Sequence, residues 1–337
     1  MKAIGYRTAG SIDRADALEL IDLPRPVASG HDVLVEVEAI SVNPVDAKVR
    51  QGVSPAPGEW KVLGWDAAGR VVEAGEMVTR LRPGDAVYYA GSIARPGANS
   101  QFHLVDERIV GHKPTTLSSV EAAALPLTAI TAWEMLFDRL DIRRPVPGAA
   151  NAIVIVGGAG GVGSIAIQLI RALTDVTVVA TASRQETRDW VTNLGAHHVV
   201  DHRNPIAEQV AALGLGAPAF VFSTTETDRH LDQIVELIAP QGRFGLIDDP
   251  KALNILPFKR KSISVHWELM FTRSIFQTPD MDRQGKLLNE VARLVDEGKV
   301  RTTLNQVLRP IDLANLKQAH SLIESGRSKG KIVLEGF

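Results

Sequence analysis

Ile153-Val-Ile-Val-Gly-Gly-Ala-Gly-Gly-Val-Gly163 is the stretch that decides how this chain folds. Its unbroken apolar, β-branched start suits a strand buried on both faces of a sheet. The strand runs into G-x-G-x-x-G at Gly158, Gly160 and Gly163, and residues 162–173 continue with the apolar spacing of a helix. A glycine pattern alone signals only a turn. Between a strand and a helix it signals a dinucleotide-binding turn. Gly158 is expected to make the tight turn, Gly160 to let the backbone approach a pyrophosphate, and Gly163 to let the helix pack closely on the sheet. The N–H groups of Gly161 and Val162, opening that helix, would complete the anion site.

Working outward, strand patterns at 153–156, 176–180, 198–200, 219–222, 243–247 and 263–266 alternate with helical patterns at 162–173, 185–194, 205–213 and 228–238. Such alternation predicts an α/β fold with a doubly wound parallel sheet. About 20 residues beyond the glycines, a carboxylate would hold the ribose 2′-hydroxyl of NAD. The chain instead reads Val178-Val-Ala-Thr-Ala-Ser-Arg184. Ser183 and Arg184 are donors suited to a 2′-phosphate, which favours NADPH.

The first part of the chain has a different character. Runs at 2–6, 18–23, 32–42 and 69–74 read as short strands separated by Pro/Gly clusters. Val33, Val35 and Val37 alternate with Leu34, Glu36 and Glu38, the period of a half-buried strand, so a small barrel or sandwich is expected. An alanine-rich helical stretch at 118–140 precedes the alternating region. Beyond it lie amphipathic helices near 281–297 and 311–325 and a last strand at 331–334, which are expected to return to the first domain. The predicted domains are 1–122, 123–266 and the returning segment 267–337.

Composition narrows the chemistry. The 337 residues carry a net charge of −2 and no cysteine. Interspersed charge gives no footprint for nucleic acid or an anionic membrane surface, so a small-molecule substrate is expected. Without cysteine there is no disulfide, no thiolate nucleophile and no cysteine-ligated metal. No apolar segment approaches the ~20 residues of a membrane span and the N-terminus has no export-type apolar core, so a cytoplasmic location is expected.

With these pieces assembled, the chain resembles the medium-chain dehydrogenases/reductases over essentially its whole length: a GroES-like β-rich catalytic domain, a Rossmann domain with Ala159-Gly-Gly-Val-Gly163, and a returning C-terminal segment. Zinc alcohol dehydrogenases of that superfamily carry a Cys in the segment that here reads Ser41-Val-Asn-Pro-Val-Asp46, and Gly-His-Glu where this chain has Gly64-Trp65-Asp66. A catalytic zinc needs three protein ligands. Asn43 and Trp65 stand in for two of them, and Asp66 alone does not hold the ion, so no metal site is expected. The quinone oxidoreductases, whose segment also reads Val-Asn with an Asp three residues on, are the better match. Similarity to the zinc-type alcohol dehydrogenase-like branch comes from Phe244-Gly-Leu-Ile-Asp-Asp-Pro250 and His266-Trp-Glu-Leu-Met-Phe-Thr-Arg273.

The resemblance implies Asn43 beside the nicotinamide, Thr128 near the cofactor, and Arg184, His202 and Arg327 around the adenine and 2′-phosphate. Asn43 is the candidate for orienting the nicotinamide or polarising a substrate, although an Asn before Pro44 also suits a capped turn. Asp46 suits a helix cap and is carried as support for the site. Trp65 and Trp267 would make a substrate pocket apolar. His197, His198 and His202 flank one short strand whose residues alternate in direction, which argues against a metal site. The function expected is hydride transfer from NADPH to quinones or α,β-unsaturated carbonyls without zinc, by a homodimer formed through the sheet edge near 263–265. A zinc-free alcohol/aldehyde oxidoreductase and a non-catalytic NADPH-binding sensor are the alternatives.

Overall fold

The structure is a computed structural model that describes every residue from Met1 to Phe337. The chain forms two compact units, one of Met1–Ile130 with Phe271–Phe337 and one of Thr131–Met270.

The second unit is built on six strands in the spatial order His198–Val200, Thr177–Thr181, Ala150–Val156, Pro218–Ser223, Arg243–Leu246, Ser264–Trp267. Every neighbouring pair is parallel. The strand bearing the glycine turn is central, with earlier partners on one side and later ones on the other, so its carboxyl end lies where the winding reverses direction. Val154, Val179, Val221, Phe244 and Leu246 fill the core on one face with Ile206, Val210, Ile234 and Ile238 from the covering helices. The six predicted strands and four predicted helices are all present, displaced at their ends by at most three residues.

The expected single helix at 118–140 is divided. Ser119–Ala123 is capped by Ser118 and Glu121. Pro126, which has no N–H to donate, opens a second helix, Pro126–Trp133. The chain then widens into a π turn, Glu134–Arg139, with the Leu140 N–H reaching the Met135 carbonyl at 2.8 Å. The Arg243 guanidinium stabilises this exit by donating to the Leu140 and Asp141 carbonyls, each at 2.7 Å. Ser119–Ala123 packs on strands Asp32–Val42 and Ala67–Ala74. That packing moves the boundary between units to Ile130/Thr131, instead of after residue 122.

The first unit holds a seven-stranded sheet and a three-stranded sheet, the latter formed by Glu19–Asp22, Lys2–Tyr6 and Lys61–Val62. Asp32–Val42 is the spine of the larger sheet. It pairs antiparallel with Ala67–Ala74, with Phe102–Asp106 and, at its far end, with the C-terminal strand Lys331–Glu335. The expected alternation holds only from Val35 to Glu38: Leu34 is buried like Val33 and Val35, and Ala39 to Val42 are all buried. Ile332 faces Val42 in this pairing, so Lys331 is brought beside the start of the helix Pro44–Gly52. The short strands Ala86–Tyr89, Phe102–Asp106, Val110–His112 and Leu304–Leu308 were not expected from pattern alone. No helix is long and apolar enough to cross a membrane.

Candidate active site

The turn after Ala150–Val156 differs in detail from the expected one. The residue in the left-handed conformation is Gly157, with φ of 81°, so Gly157 makes the tight turn rather than Gly158. Gly158 is required for another reason: a Cβ there would lie 2.8 Å from the Ala180 Cβ on the neighbouring strand. Gly163 matches its expected packing role, since a Cβ there would fall 2.5 Å from the Gly157 carbonyl oxygen and 2.7 Å from the Gly158 Cα. At Gly160 an added Cβ would meet only the Gly157 carbonyl oxygen, at 3.4 Å. The protein therefore leaves open the side from which a pyrophosphate would approach. The helix Gly161–Leu173 begins there, and its first internal bond runs from the Ser164 N–H to the Gly160 carbonyl at 2.9 Å. The N–H groups of Gly161 and Val162 precede that bond and have no acceptor within the helix, which fits an anion.

At the end of the adjacent strand Thr177–Thr181, Ser183 is half-buried and Arg184 is exposed at the start of the helix Gln185–Asn193. Arg184 lies 3.4 Å from Glu186. Arg203, not singled out from the sequence, joins them: it donates to the Ser183 carbonyl at 2.9 Å while Asp201 holds its guanidinium from two atoms, at 3.0 and 2.6 Å. His202 is half-buried and meets the His230 ring edge-on, with centroids 6.3 Å apart. His197 is engaged structurally, its Nδ1 accepting the Val178 N–H at 2.8 Å.

In the first unit, Asn43, Asp46 and Asp66 are buried together with Lys331. Asn43 precedes the helix Pro44–Gly52 and its amide is held at both ends. Its Nδ2 donates to Asp66 Oδ2 at 2.9 Å, and its Oδ1 accepts from the Lys331 ammonium. Lys331 also donates to Asp66 Oδ2 at 2.9 Å and to the Val42 carbonyl at 3.3 Å. The other Asp66 oxygen accepts the Leu127 N–H at 2.7 Å. Burial works to raise the Asp66 carboxyl, and Lys331 and its N–H donors oppose it. Asp46 caps the helix: its carboxylate accepts the N–H groups of Asn43 at 2.8 Å and Gly64 at 2.9 Å. Burial pushes it up to about 7 despite those bonds.

Trp65 is wholly enclosed, donates its indole N–H to the Ser92 carbonyl at 3.2 Å and meets Phe271 edge-to-face at 5.9 Å. Trp267, by contrast, is 51% exposed on the edge strand of the second unit. Thr128 is buried and donates to the Leu125 carbonyl at 3.0 Å, directly after Leu127, whose N–H holds Asp66. Arg327 is exposed just beyond the helix Leu313–Glu324. No three His, Cys, Asp or Glu side chains converge in a way that could hold an ion. At the positions of the zinc ligands the donors are an amide, an indole ring and one lysine-paired carboxylate, a set that does not fit zinc.

A second group of buried carboxyls was not singled out from the sequence. Glu268, directly after the strand Ser264–Trp267, pairs with Arg139 at 2.8 Å and faces the buried Glu134 from the π turn. Burial, and then the neighbouring Glu134 charge, raise Glu268, so the pair retains a proton well above the ordinary carboxylate range.

The chain matches an alcohol dehydrogenase GroES-like domain at residues 29–118 and a zinc-binding dehydrogenase family at residues 194–334. It is 39% identical to a zinc-type alcohol dehydrogenase-like protein of Staphylococcus aureus (strain MSSA476), with 99% of each chain covered. It is 30% identical to a chloroplastic quinone-oxidoreductase homolog of Spinacia oleracea, covering 99% of this chain and 98% of the other. A crystal structure from Rhizobium etli CFN 42, of a protein provisionally named a zinc-dependent alcohol dehydrogenase, superposes with a TM-score of 0.99 at 65% identity, covering 100% of this chain and 98% of that one. The Escherichia coli quinone oxidoreductase complexed with NADPH shares the fold, with a TM-score of 0.82 at 22% identity, covering 99% of this chain and 100% of that one. The glycine turn on a doubly wound sheet, the GroES-like unit and these full-length matches agree: the chain belongs to the medium-chain dehydrogenase/reductase superfamily, as an oxidoreductase of the nicotinamide-dependent type.

Proposed function

We propose that the protein transfers hydride from NADPH to quinones or α,β-unsaturated carbonyls without zinc. The observation that carries this reading is the network of Lys331, Asn43 and Asp66, which stands where zinc-dependent relatives keep their ligands, in a chain that retains the dinucleotide turn. The names of the spinach and Escherichia coli proteins support a quinone as the electrophile and NADPH as the donor.

When bound, NADPH supplies the hydride, and the carbon–carbon or carbonyl π electrons of the acceptor move to oxygen. The protein's part is to bind, orient and exclude water. Gly160, Gly161 and Val162 receive the pyrophosphate, and Ser183, Arg184 and Arg203 receive the 2′-phosphate, with His202 beside the adenosine and Arg327 contributing a further positive charge. Asn43, fixed by Lys331 and Asp66, gives its second Nδ2 hydrogen only to a long bond with the Ser41 carbonyl at 3.5 Å, and would exchange it for one to the nicotinamide carboxamide or a substrate oxygen. Thr128 and Asp46 hold the surrounding backbone, and Trp65, wholly buried against Phe271, packs behind the site instead of lining a pocket as expected. The proton reaching the reduced product comes from water.

Substituting Arg184→Ala together with Arg203→Ala is expected to raise KM for NADPH by at least about 10-fold with little change for NADH, because each charge-assisted bond to a phosphate contributes on the order of 1–3 kcal/mol. Steady-state kinetics with both cofactors check this, and an equal effect on both would contradict the assignment of the 2′-phosphate.

We also propose a homodimer formed through the edge strand Ser264–Trp267, near which Leu256 and Leu269 are also exposed. An edge strand with large exposed apolar side chains suits continuation by a second copy. Light scattering is expected to give twice the 36.4 kDa chain mass, and Trp267→Glu to reduce it to one. A monomeric wild type would refute this.

A further inference from the structure

Lys331 is the last residue that pattern reading would select. It opens the final strand of the chain, yet its ammonium is buried with Asp66, and the two are 265 positions apart in sequence. The Nζ atom donates to two side-chain oxygens, Asn43 Oδ1 and Asp66 Oδ2, from the two segments that carry the metal positions in zinc-dependent relatives, and it also reaches the Val42 carbonyl.

We infer that Lys331 is a tethered cation standing in for the missing metal: its ammonium takes up the donors a divalent ion would use, neutralises Asp66 and bars such an ion from the site. The inference deepens the zinc-free reading above and rests on it for its biological meaning, but its test reads metal binding and not turnover. Three features argue for it. A buried carboxylate requires a positive partner, and Lys331 is the partner Asp66 has. The Asn43 amide is oriented by opposite ends, oxygen toward the ammonium and nitrogen toward the carboxylate, so removing the ammonium removes what fixes the amide. An ion with two positive charges placed against the same two oxygens would lie against Nζ, where the repulsion is little screened by water. The ammonium accordingly works as a positioning group and as an exclusion device.

The test restores metal ligands with and without the lysine. Asn43→Cys/Trp65→His is prepared with Lys331 retained and with Lys331→Met, and each protein is titrated with Co²⁺ alone, reading the thiolate-to-cobalt charge-transfer absorption. The lysine-free protein is expected to bind Co²⁺ at least about 100-fold more tightly than the lysine-containing one. Equal affinity in the two backgrounds, or no cobalt band in either, overturns the inference. Because Trp65 is wholly buried, Asn43→Cys with and without Lys331→Met is carried in parallel, leaving the tryptophan in place. Should a lysine-free protein fail to fold without metal, folding rescued by Co²⁺ is the expected result, and failure to fold with or without it overturns the inference.

Discussion

Gly160→Val is expected to weaken NADPH binding by at least about 100-fold while leaving thermal stability close to that of the wild type. The separation of effects follows from the surroundings of the residue. Gly160 has φ of −69° and ψ of 174°, an extended conformation open to any residue, and the protein places only the Gly157 carbonyl oxygen, at 3.4 Å, near an added Cβ. The branched side chain would fill the space needed for the backbone to approach a pyrophosphate, so the loss falls on binding. Gly163→Ala should behave differently. Its Cβ would meet three backbone atoms of the turn within 2.7 Å, so the helix would have to move off the strand and both stability and binding would fall. Calorimetric titration with NADPH and thermal melting of both variants check the contrast. A Gly160→Val protein that binds normally would remove the glycine turn from the cofactor site.

Asp66→Ala is expected to cost roughly 3–5 kcal/mol of stability in the first unit, because it leaves the buried Lys331 ammonium without a counter-charge. Lys331→Met should cost a similar amount, since Asp66 would keep only the Asn43 and Leu127 N–H donors. The double change Lys331→Met/Asp66→Ala removes both charges and should cost clearly less than the sum of the two single changes, because no charge is then left unpaired. Denaturant unfolding of the four proteins closes this cycle. Additive losses would show that the two residues do not stabilise one another. Asp66 and Lys331 belong to the first unit and Gly160 to the second, so the two results are read on different units.

How much of this was legible in the sequence depends on how local the physics is. The parallel sheet was visible because each buried strand is a continuous apolar run and each covering helix repeats its apolar face within a few residues, as at 153–156 and 162–173. The detail of the turn was less so. Gly157 and Gly158 are adjacent glycines, and only the backbone shows that Gly157 takes the left-handed conformation whereas Gly158 is held by the Ala180 side chain. The stretch at 118–140 has helical composition throughout. Its division depends on Pro126 and on Arg243, which lies far along the chain and takes up the carbonyls at the π turn. The departure from zinc ligands at Asn43 and Trp65 could be read directly, but their partners could not. Lys331 reaches Asn43 and Asp66 only because the last strand pairs with Asp32–Val42, and an ordinary lysine at a strand start carries no signal of burial. Glu134 and Glu268 meet for the same kind of reason, through a π turn and an edge strand. Arg203 had a closer signal, two residues beyond Asp201, but its approach to Ser183 depends on how the chain leaves the strand His198–Val200.

The most direct measurement is oxidation of NADPH and, separately, of NADH, followed at the nicotinamide absorbance with a panel of quinones, enones and aldehydes, with and without a strong chelator. The expected result is turnover of quinones or enones with NADPH, much weaker turnover with NADH, and no loss on chelation. Turnover abolished by the chelator and restored by zinc would contradict the metal-free account, and tight NADPH binding with no turnover of any acceptor would contradict the catalytic one.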